Sequence, residues 1–173
     1  MTVADLCEAA ITLSDNTAGN LLLASFGGPA ALTAFARTLG DPTTRLDRIE
    51  PALNESRPGD PRDTTTPRGM ATALRAAVVG DALSRASRER LVQWLQATKT
   101  NGARLGAELP TGWRLGSKTG TGERGSTNDV GVFWPPGGRA PLVVAAYLTE
   151  TTLPLAQRQA AIAAVAHHVT HGA

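Results

Sequence analysis

The hydrophobic pattern of this sequence changes its period near residue 100, and that change limits the folds available to the chain. Before it, apolar residues recur at the spacing of amphipathic helices. After it, the segments 113–120, 127–134 and 141–150 have the composition of strands, with "PPGG" at 135–138 as a hairpin turn. An alanine-rich helical pattern at 154–171 closes the chain. The pattern predicts an α+β protein.

An irregular segment, 45–63, interrupts the helical part with the sequence "RLDRIEPALNESRPGDPRD". Its prolines and charges fit neither period, and such a composition usually means a solvated linker. Thr66 is a plausible N-cap for the helix that follows, with Pro67 at its first position, and Gly40 ends the helix that precedes. The predicted helices before the strands are 2–13, 17–25, 29–39, 67–79 and 87–97.

Composition and charge exclude several classes of partner. The 173 residues carry a formal net charge of +2 and are 42% hydrophobic, so the charge suggests neither nucleic acid nor a membrane surface. No apolar run is long enough to span a membrane, and no signal peptide is visible. We therefore expect no nucleic acid and no membrane among the partners.

The histidines and the cysteine offer little chemistry. The 3 histidines, His167, His168 and His171, lie at the end of the closing helix, so nothing upstream can use histidine as a base or ligand. His167 and His171 have the spacing of a metal-binding pair, but no third ligand is evident, and we expect no metal and no cofactor. Cys7 is either a small buried hydrophobe or half of a disulfide whose partner is outside this sequence.

Three short polar motifs remain. They are "SDN" at 14–16, between two helical patterns, "ExxLN" at 50–54, inside the irregular segment, and "KTG" at 118–120, at the end of the first strand pattern. Taken alone, each motif also fits a purely structural role: a helix cap, a solvated loop and a strand-end turn, in that order.

Together and in this order, the three motifs resemble the class A serine β-lactamases. The resemblance covers essentially the whole chain from Thr2. Arg48 and Asp63 resemble the ion pair that closes that family's Ω-loop, where we expect a bidentate contact, and Pro51 resembles its cis X-Pro position. "TGTG" at 119–122 resembles the strand that lines the substrate site.

The resemblance implies a serine β-lactamase/transpeptidase-like fold. A mostly helical domain, 1–98, would contain the Ω-loop at 45–63. An α/β part, 99–173, would contain three antiparallel strands and the closing helix. The sheet would be incomplete on the N-terminal side of the chain, because three strands are few for an independent sheet.

The resemblance also implies a role for each matching residue. Ser14 would relay a proton to the departing lactam nitrogen, and Lys118 would hold its hydroxyl. Glu50 would activate the hydrolytic water. Arg104 would bind the substrate carboxylate in place of an arginine that many members have on the second strand, where this chain has Thr127. The substrate-binding set that the resemblance implies is Asn16, Asn54, Arg104, Thr119, Gly120 and Thr121.

One motif of that family is not in this sequence. The nucleophile is the serine of S-x-x-K, which lies before "SDN" in the family. The lysines here are Lys99 and Lys118, and Gln96 and Leu115 stand three residues before them. The resemblance therefore implies the C-terminal part of a β-lactamase, inactive alone and dependent on a missing N-terminal segment. We expect such a chain, with apolar faces exposed, to aggregate or to be partly folded.

Two alternatives stay open. A penicillin-binding transpeptidase fragment would share "SxN" and "KTG", but the "ExxLN" loop argues against it. A non-catalytic remnant would explain the missing nucleophile. For the parent protein, the resemblance implies β-lactam antibiotics as substrates, a periplasmic or secreted location and a monomeric state.

Overall fold

The computed structural model describes residues 1–172, in which six α-helices and three β-strands follow the predicted order. The α+β class is therefore confirmed. The helices are α1 (Val3–Thr12), α2 (Asn16–Ser25), α3 (Gly28–Thr38), α4 (Pro67–Val78), α5 (Arg85–Gln96) and α6 (Leu155–His171). The strands are β1 (Arg114–Thr121), β2 (Thr127–Trp134) and β3 (Leu142–Leu148).

The helix boundaries follow from local chemistry. Thr2 and Asp5 form a capping box at the start of α1, in which each side chain accepts a hydrogen bond from the other's backbone N–H. Thr66 caps α4, and Pro67 occupies its first turn, as predicted. Gly40 follows α3 with a φ of 81°, a left-handed conformation that glycine adopts without strain.

The three strands form one antiparallel sheet in the order β1-β2-β3. In the register, Lys118 faces Val130 and Thr119 faces Asp129. The predicted hairpin turn joins β2 to β3 through a short 3₁₀ turn, in which Gly137 has a φ of 76°. Within the described residues β1 is an edge strand, so one side of its backbone is open to the site described below.

Helices cover both faces of this sheet. On one face, Leu115 and Phe133 pack against Ile162 and Ala166 of α6. On the other face, Val132 packs against residues of α4 and α5. Burial on both sides fixes the position of β1 relative to the helical part, because apolar area removed from water is the main stabilising contribution.

Several large apolar side chains on the helical part remain exposed. The exposed fraction is 65% for Val3 and 62% for Leu13. Exposed apolar surface of this kind agrees with the expectation from the sequence, while aggregation in solution stays a prediction. The division into a helical domain and an α/β part likewise stays a prediction. The other exposed large apolar residues of α1 to α3 and their ends are Met1, Leu21, Phe26 and Phe35.

The remaining expectations concern single residues and membranes. In residues 1–172, no single helix is long and apolar enough to cross a membrane, although α2 and α3 together pass that test as a pair bent by 79°.

The rings of His167 and His171 stack with centroids 4.1 Å apart. Across the same residues, no group of three or more acidic, histidine or cysteine side chains could hold a metal ion. Cys7 is half-buried and unpaired there, and a disulfide with a partner outside this sequence stays a prediction.

Candidate active site

A cavity of about 840 Å³ opens where the α1–α2 junction, the 45–63 loop and the end of β1 meet. The motifs that the sequence separates by many residues therefore share one space. The predicted residues that line it are Ser14, Asn16, Glu50, Asn54, Asp63, Lys118, Thr119, Gly120 and Thr121.

Ser14 and Lys118 are in direct contact across this cavity. Lys118 Nζ donates hydrogen bonds to Ser14 Oγ and to the Thr119 carbonyl, each at 2.7 Å. Ser14 has a φ of 60°, a left-handed conformation that is uncommon for a residue other than glycine. The next residue, Asp15, caps α2 by accepting from the Ala18 N–H at 2.8 Å. The cap and the left-handed turn together aim the serine hydroxyl at the lysine.

The Arg48–Asp63 ion pair closes the irregular loop at its base. Arg48 Nε lies 2.5 Å from Asp63 Oδ2, and the Asp63 side chain is only 3% exposed. Asp63 Oδ1 also accepts the backbone N–H groups of Asp47 at 2.7 Å and Arg48 at 2.9 Å. The expected bidentate contact was wrong, because Arg48 Nη1 bonds to Glu55 at 2.6 Å instead. One guanidinium thus connects the base of the loop to its interior.

Glu50 and Asn54 lie side by side within the loop. Asn54 Nδ2 donates to Glu50 Oε2 at 2.5 Å and to the Pro51 carbonyl at 3.1 Å. The bond between Glu50 and Pro51 is cis. The hydrogen bond from Asn54 to Glu50 joins a carboxamide and a carboxylate in the lining of the cavity.

Asn20 of α2 fixes the backbone of Glu50 from outside the loop, and sequence reasoning missed it. Its Oδ1 accepts the Glu50 N–H at 2.9 Å, and its Nδ2 donates to the Glu50 carbonyl at 3.0 Å. The only signal in the sequence was an asparagine inside an otherwise apolar helical pattern, at a position that shows neither cap nor turn.

The loop also rests against the end of β1. The Glu123 N–H donates to the Asn54 carbonyl at 2.9 Å. A Cβ added to Gly122 would lie 3.0 Å from that same carbonyl oxygen. A larger residue here would force that carbonyl to shift, so the position of the Glu50–Asn54 pair depends on the turn that follows β1.

Arg104 is buried beside the ends of β1 and β2. It is only 4% exposed and is not among the residues that line the cavity. Its Nη1 donates to the carbonyls of Gly120 and Asn128, each at 2.7 Å, and its Nη2 donates to Thr121 Oγ1 at 2.5 Å. The guanidinium is thus engaged by the ends of β1 and β2, and its binding of a substrate carboxylate stays a prediction.

Burial shifts the protonation of two groups in β1 and β2. Burial lowers the pKa of Lys118, with the charge of Arg104 acting in the same direction and those of Asp129 and Glu50 opposing it. Burial raises the pKa of Asp129 to about 6, opposed mainly by a hydrogen bond from the Leu105 backbone. Sequence reasoning missed Asp129, since an aspartate in a strand pattern gives no sign of full burial.

Comparison with known proteins gives the family. The model of the β-lactamase enzyme family matches residues 1–172. β-Lactamase CTX-M-25 of Escherichia coli is 52% identical over 172 residues, and CTX-M-8 of Citrobacter amalonaticus is 51% identical. This chain belongs to the class A serine β-lactamases. It spans 59% of the length of these relatives, and they match 99% of it.

Solved class A structures share the fold. The putative class A β-lactamase PenP of Rhodopseudomonas palustris superposes with a TM-score of 0.95 at 64% identity, covering 98% of this chain and 64% of that one. An ancestral class A β-lactamase gives the same TM-score and identity. The experiments below use a longer protein, in which an N-terminal segment of a class A β-lactamase that carries S-x-x-K is joined before Thr2; we call this protein the fusion.

We predict that Arg48→Ala in the fusion opens the 45–63 loop. The buried Asp63 carboxylate would lose its charged partner, which should lower the free energy of local opening by about 2 kcal/mol. Thermolysin, which cleaves next to apolar residues such as Leu46 and Ile49, should then cut the loop faster. Arg45→Ala is the control, because Arg45 is 43% exposed and its ion pair, within residues 1–172, is with Asp47 at 2.5 Å. Equal cleavage rates in both variants would contradict the role of the ion pair.

We also predict a pH-dependent difference in stability between the fusion and its Asp129→Asn variant. The native pKa of Asp129 is raised from 3.8 to about 6, so its contribution to stability is present below pH 4 and lost as pH rises through 6. At neutral pH the buried charge costs about 3 kcal/mol, which asparagine avoids. Urea unfolding from pH 4 to 8 should show the advantage of asparagine growing with pH; a constant difference would contradict the burial of an ionised carboxylate.

Proposed function

We propose that this chain is the substrate-binding and deacylating part of an enzyme that hydrolyses β-lactam antibiotics, as a source of antibiotic resistance. The observation that carries the proposal is the Glu50–Asn54 pair, which faces the same cavity as the Ser14–Lys118 pair. A base for water and a relay for a leaving nitrogen in one cavity suit the opening of a cyclic amide through an acyl intermediate.

Ser14 and Lys118 would act when the amide bond breaks. The departing lactam nitrogen needs a proton, and the Ser14 hydroxyl can pass one on while Lys118 Nζ holds it at 2.7 Å. The lysine is also the positive charge nearest to this hydroxyl, which favours an anionic substrate at the same place. The attacking serine would come from an S-x-x-K segment that this sequence does not contain.

Glu50 and Asn54 would act when the acyl group is released. A water accepted by the Glu50 carboxylate and oriented by the Asn54 amide could lose its proton to Glu50 as it attacks the ester. Asn20 and the Arg48–Asp63 pair would hold the loop so that this water keeps its direction. Positioning of this kind decides whether the acyl-enzyme is short-lived.

The end of β1 would bind the substrate. Thr119 and Thr121 line the cavity next to Lys118, and threonine hydroxyls are suited to a carboxylate. The Thr121 N–H would serve as one oxyanion donor, and the other would belong to the attacking serine. Asn16 would bind the amide of the substrate side chain from the opposite wall.

One observation favours a second candidate, a non-catalytic remnant. No S-x-x-K occurs in the sequence, and a base without an acyl-serine has nothing to deacylate. The transpeptidase alternative is less well supported. A Glu50–Asn54 pair that positions water serves deacylation, and a transpeptidase forms a long-lived acyl-enzyme. A periplasmic or secreted location and a monomeric state of the parent are parts of the proposal that rest on the family alone.

The experiment that tests the proposal compares the isolated chain with the fusion. A chromogenic cephalosporin should be hydrolysed by the fusion and not by the isolated chain, because only the fusion has a nucleophile. Clear turnover by the isolated chain would contradict its dependence on S-x-x-K. A correctly folded but inactive fusion would favour the non-catalytic remnant.

Replacing Glu50 by glutamine in the fusion should trap the acyl-enzyme with penicillins. Acylation continues while deacylation slows by roughly 10²- to 10⁴-fold, the usual contribution of a general base. Mass spectrometry of the intact protein after mixing with a penicillin should show the added acyl mass persisting. Glu55→Gln is the matched control, since Glu55 lies in the same loop but bonds to Arg48 and Arg57 and not to Asn54. Unchanged steady-state turnover in Glu50→Gln would remove Glu50 from this role.

A further inference from the structure

The segment from Thr100 to Leu105, which we call the backing loop, contacts β1 and β2 behind the cavity. Thr100 Oγ1 lies 2.6 Å from Thr119 Oγ1, and Asn101 Nδ2 donates to Ser117 Oγ at 3.0 Å. Arg104 then reaches the last residues of β1. The proposed substrate strand is thus held from the rear by hydrogen bonds, which are directional, and not by apolar packing alone.

Asp129 of β2 is the buried anchor of this loop. Its side chain is 0% exposed, and its Oδ2 accepts the Leu105 N–H at 3.1 Å. In the register of the sheet it stands directly opposite Thr119, on the same face. A fully buried carboxylate is costly, so a bond from it to a loop backbone indicates a specific task.

Arg104 connects this anchor to residues that line the cavity. It is adjacent to Leu105, whose side chain is 0% exposed and belongs to the core. Three of the bonds from Arg104 end on Gly120, Asn128 and Thr121 Oγ1. A shift of the Leu105 backbone would therefore move the guanidinium and with it the Thr121 hydroxyl.

We propose that Asp129 is a positioning residue for the substrate carboxylate, acting through the Leu105 backbone and Arg104 on the hydroxyl of Thr121. The inference rests on the proposed function, in which Thr121 binds that carboxylate. It assigns selectivity for an anionic substrate to a residue that touches neither the substrate nor the cavity.

A competing explanation is that Asp129 balances the positive charges around it. Arg104 from the backing loop and Lys118 from β1 act on Asp129, and Arg158 of α6 acts on Arg104 and donates to Thr127 Oγ1 at 2.8 Å. If Asp129 served only to balance these cations, selectivity for an anionic substrate would depend on its charge and not on its hydrogen bond with Leu105. Asparagine separates the two explanations, because it keeps an acceptor oxygen and loses the charge.

The test uses the fusion and two substrates, a chromogenic cephalosporin with a free carboxylate and its methyl ester. The quantity measured is the ratio of kcat/KM for the acid to kcat/KM for the ester. In Asp129→Ala the ratio should fall by about 10- to 100-fold, mainly through a higher KM for the acid, since a displaced contact is lost. Asp129→Asn should keep the ratio within about threefold of the unsubstituted fusion.

A double variant tests whether the effect passes through Arg104. Arg104→Lys keeps the charge but carries its donors on a single nitrogen, which cannot reproduce bonds made from both Nη1 and Nη2, so it should lower the ratio as Asp129→Ala does. In the double variant the two losses should not multiply, because both remove the same connection. Multiplying losses would overturn the proposed route. If Asp129→Ala does not fold, Asp129→Ser replaces it in all comparisons, because the serine side chain is too short to reach Leu105.

Asp41→Ala is the matched control, as another carboxylate that is 0% exposed but bonds to Thr43 and Thr44 away from β1. It should lower the melting temperature and leave the ratio unchanged. Equal losses for acid and ester in Asp129→Ala would overturn the inference, and so would an Asn variant that behaves like Ala. A folded, unsubstituted fusion without hydrolysis of either substrate would instead overturn the proposed function, and the inference with it.

Discussion

The hydrogen bond between Lys118 Nζ and Ser14 Oγ is the contact on which the rest of the site depends. It joins groups 104 residues apart, one at a helix junction and one on an edge strand. Neither element could aim its side chain alone: the serine needs the left-handed turn before α2, and the lysine needs a sheet packed on both faces. Apolar packing of α4 and α5 on the sheet brings the helical part against β1, and this contact then joins the two walls of the cavity.

The 45–63 loop shows how a segment without a regular period can still be ordered. It lacks a repeating backbone pattern, so its polar backbone groups must find partners one by one. Asp63 accepts from two backbone N–H groups and one guanidinium, and Asn20 satisfies both backbone groups of Glu50. Each anchor is a polar group, and together they order the loop without a large apolar core.

The sequence predicts best what depends on neighbours in the chain, and worst what depends on distant ones. Helix and strand boundaries follow from period, caps and turns, and the motifs indicate the family and most cavity residues. The contacts of Arg104 were not predicted, because the sequence cannot show that Gly120, Asn128 and Thr121 use its donors. Asp129 and Asn20 were missed for the same reason: a polar residue in a regular pattern acquires its task only when another element covers it.

A strand that presents its edge to a ligand must be held in a fixed position, and the backing loop contributes to holding it. Apolar packing stabilises such a strand but is non-directional, so it tolerates small shifts along and across the sheet. Hydroxyls such as Thr119 and Thr121 must keep their direction to within a fraction of a bond length if they are to bind a carboxylate. Directional bonds from Thr100 and Arg104 behind the strand supply that restraint, at the cost of burying charge beside Asp129. The buried charges of this site are therefore best understood as the means by which an exposed edge is kept in place.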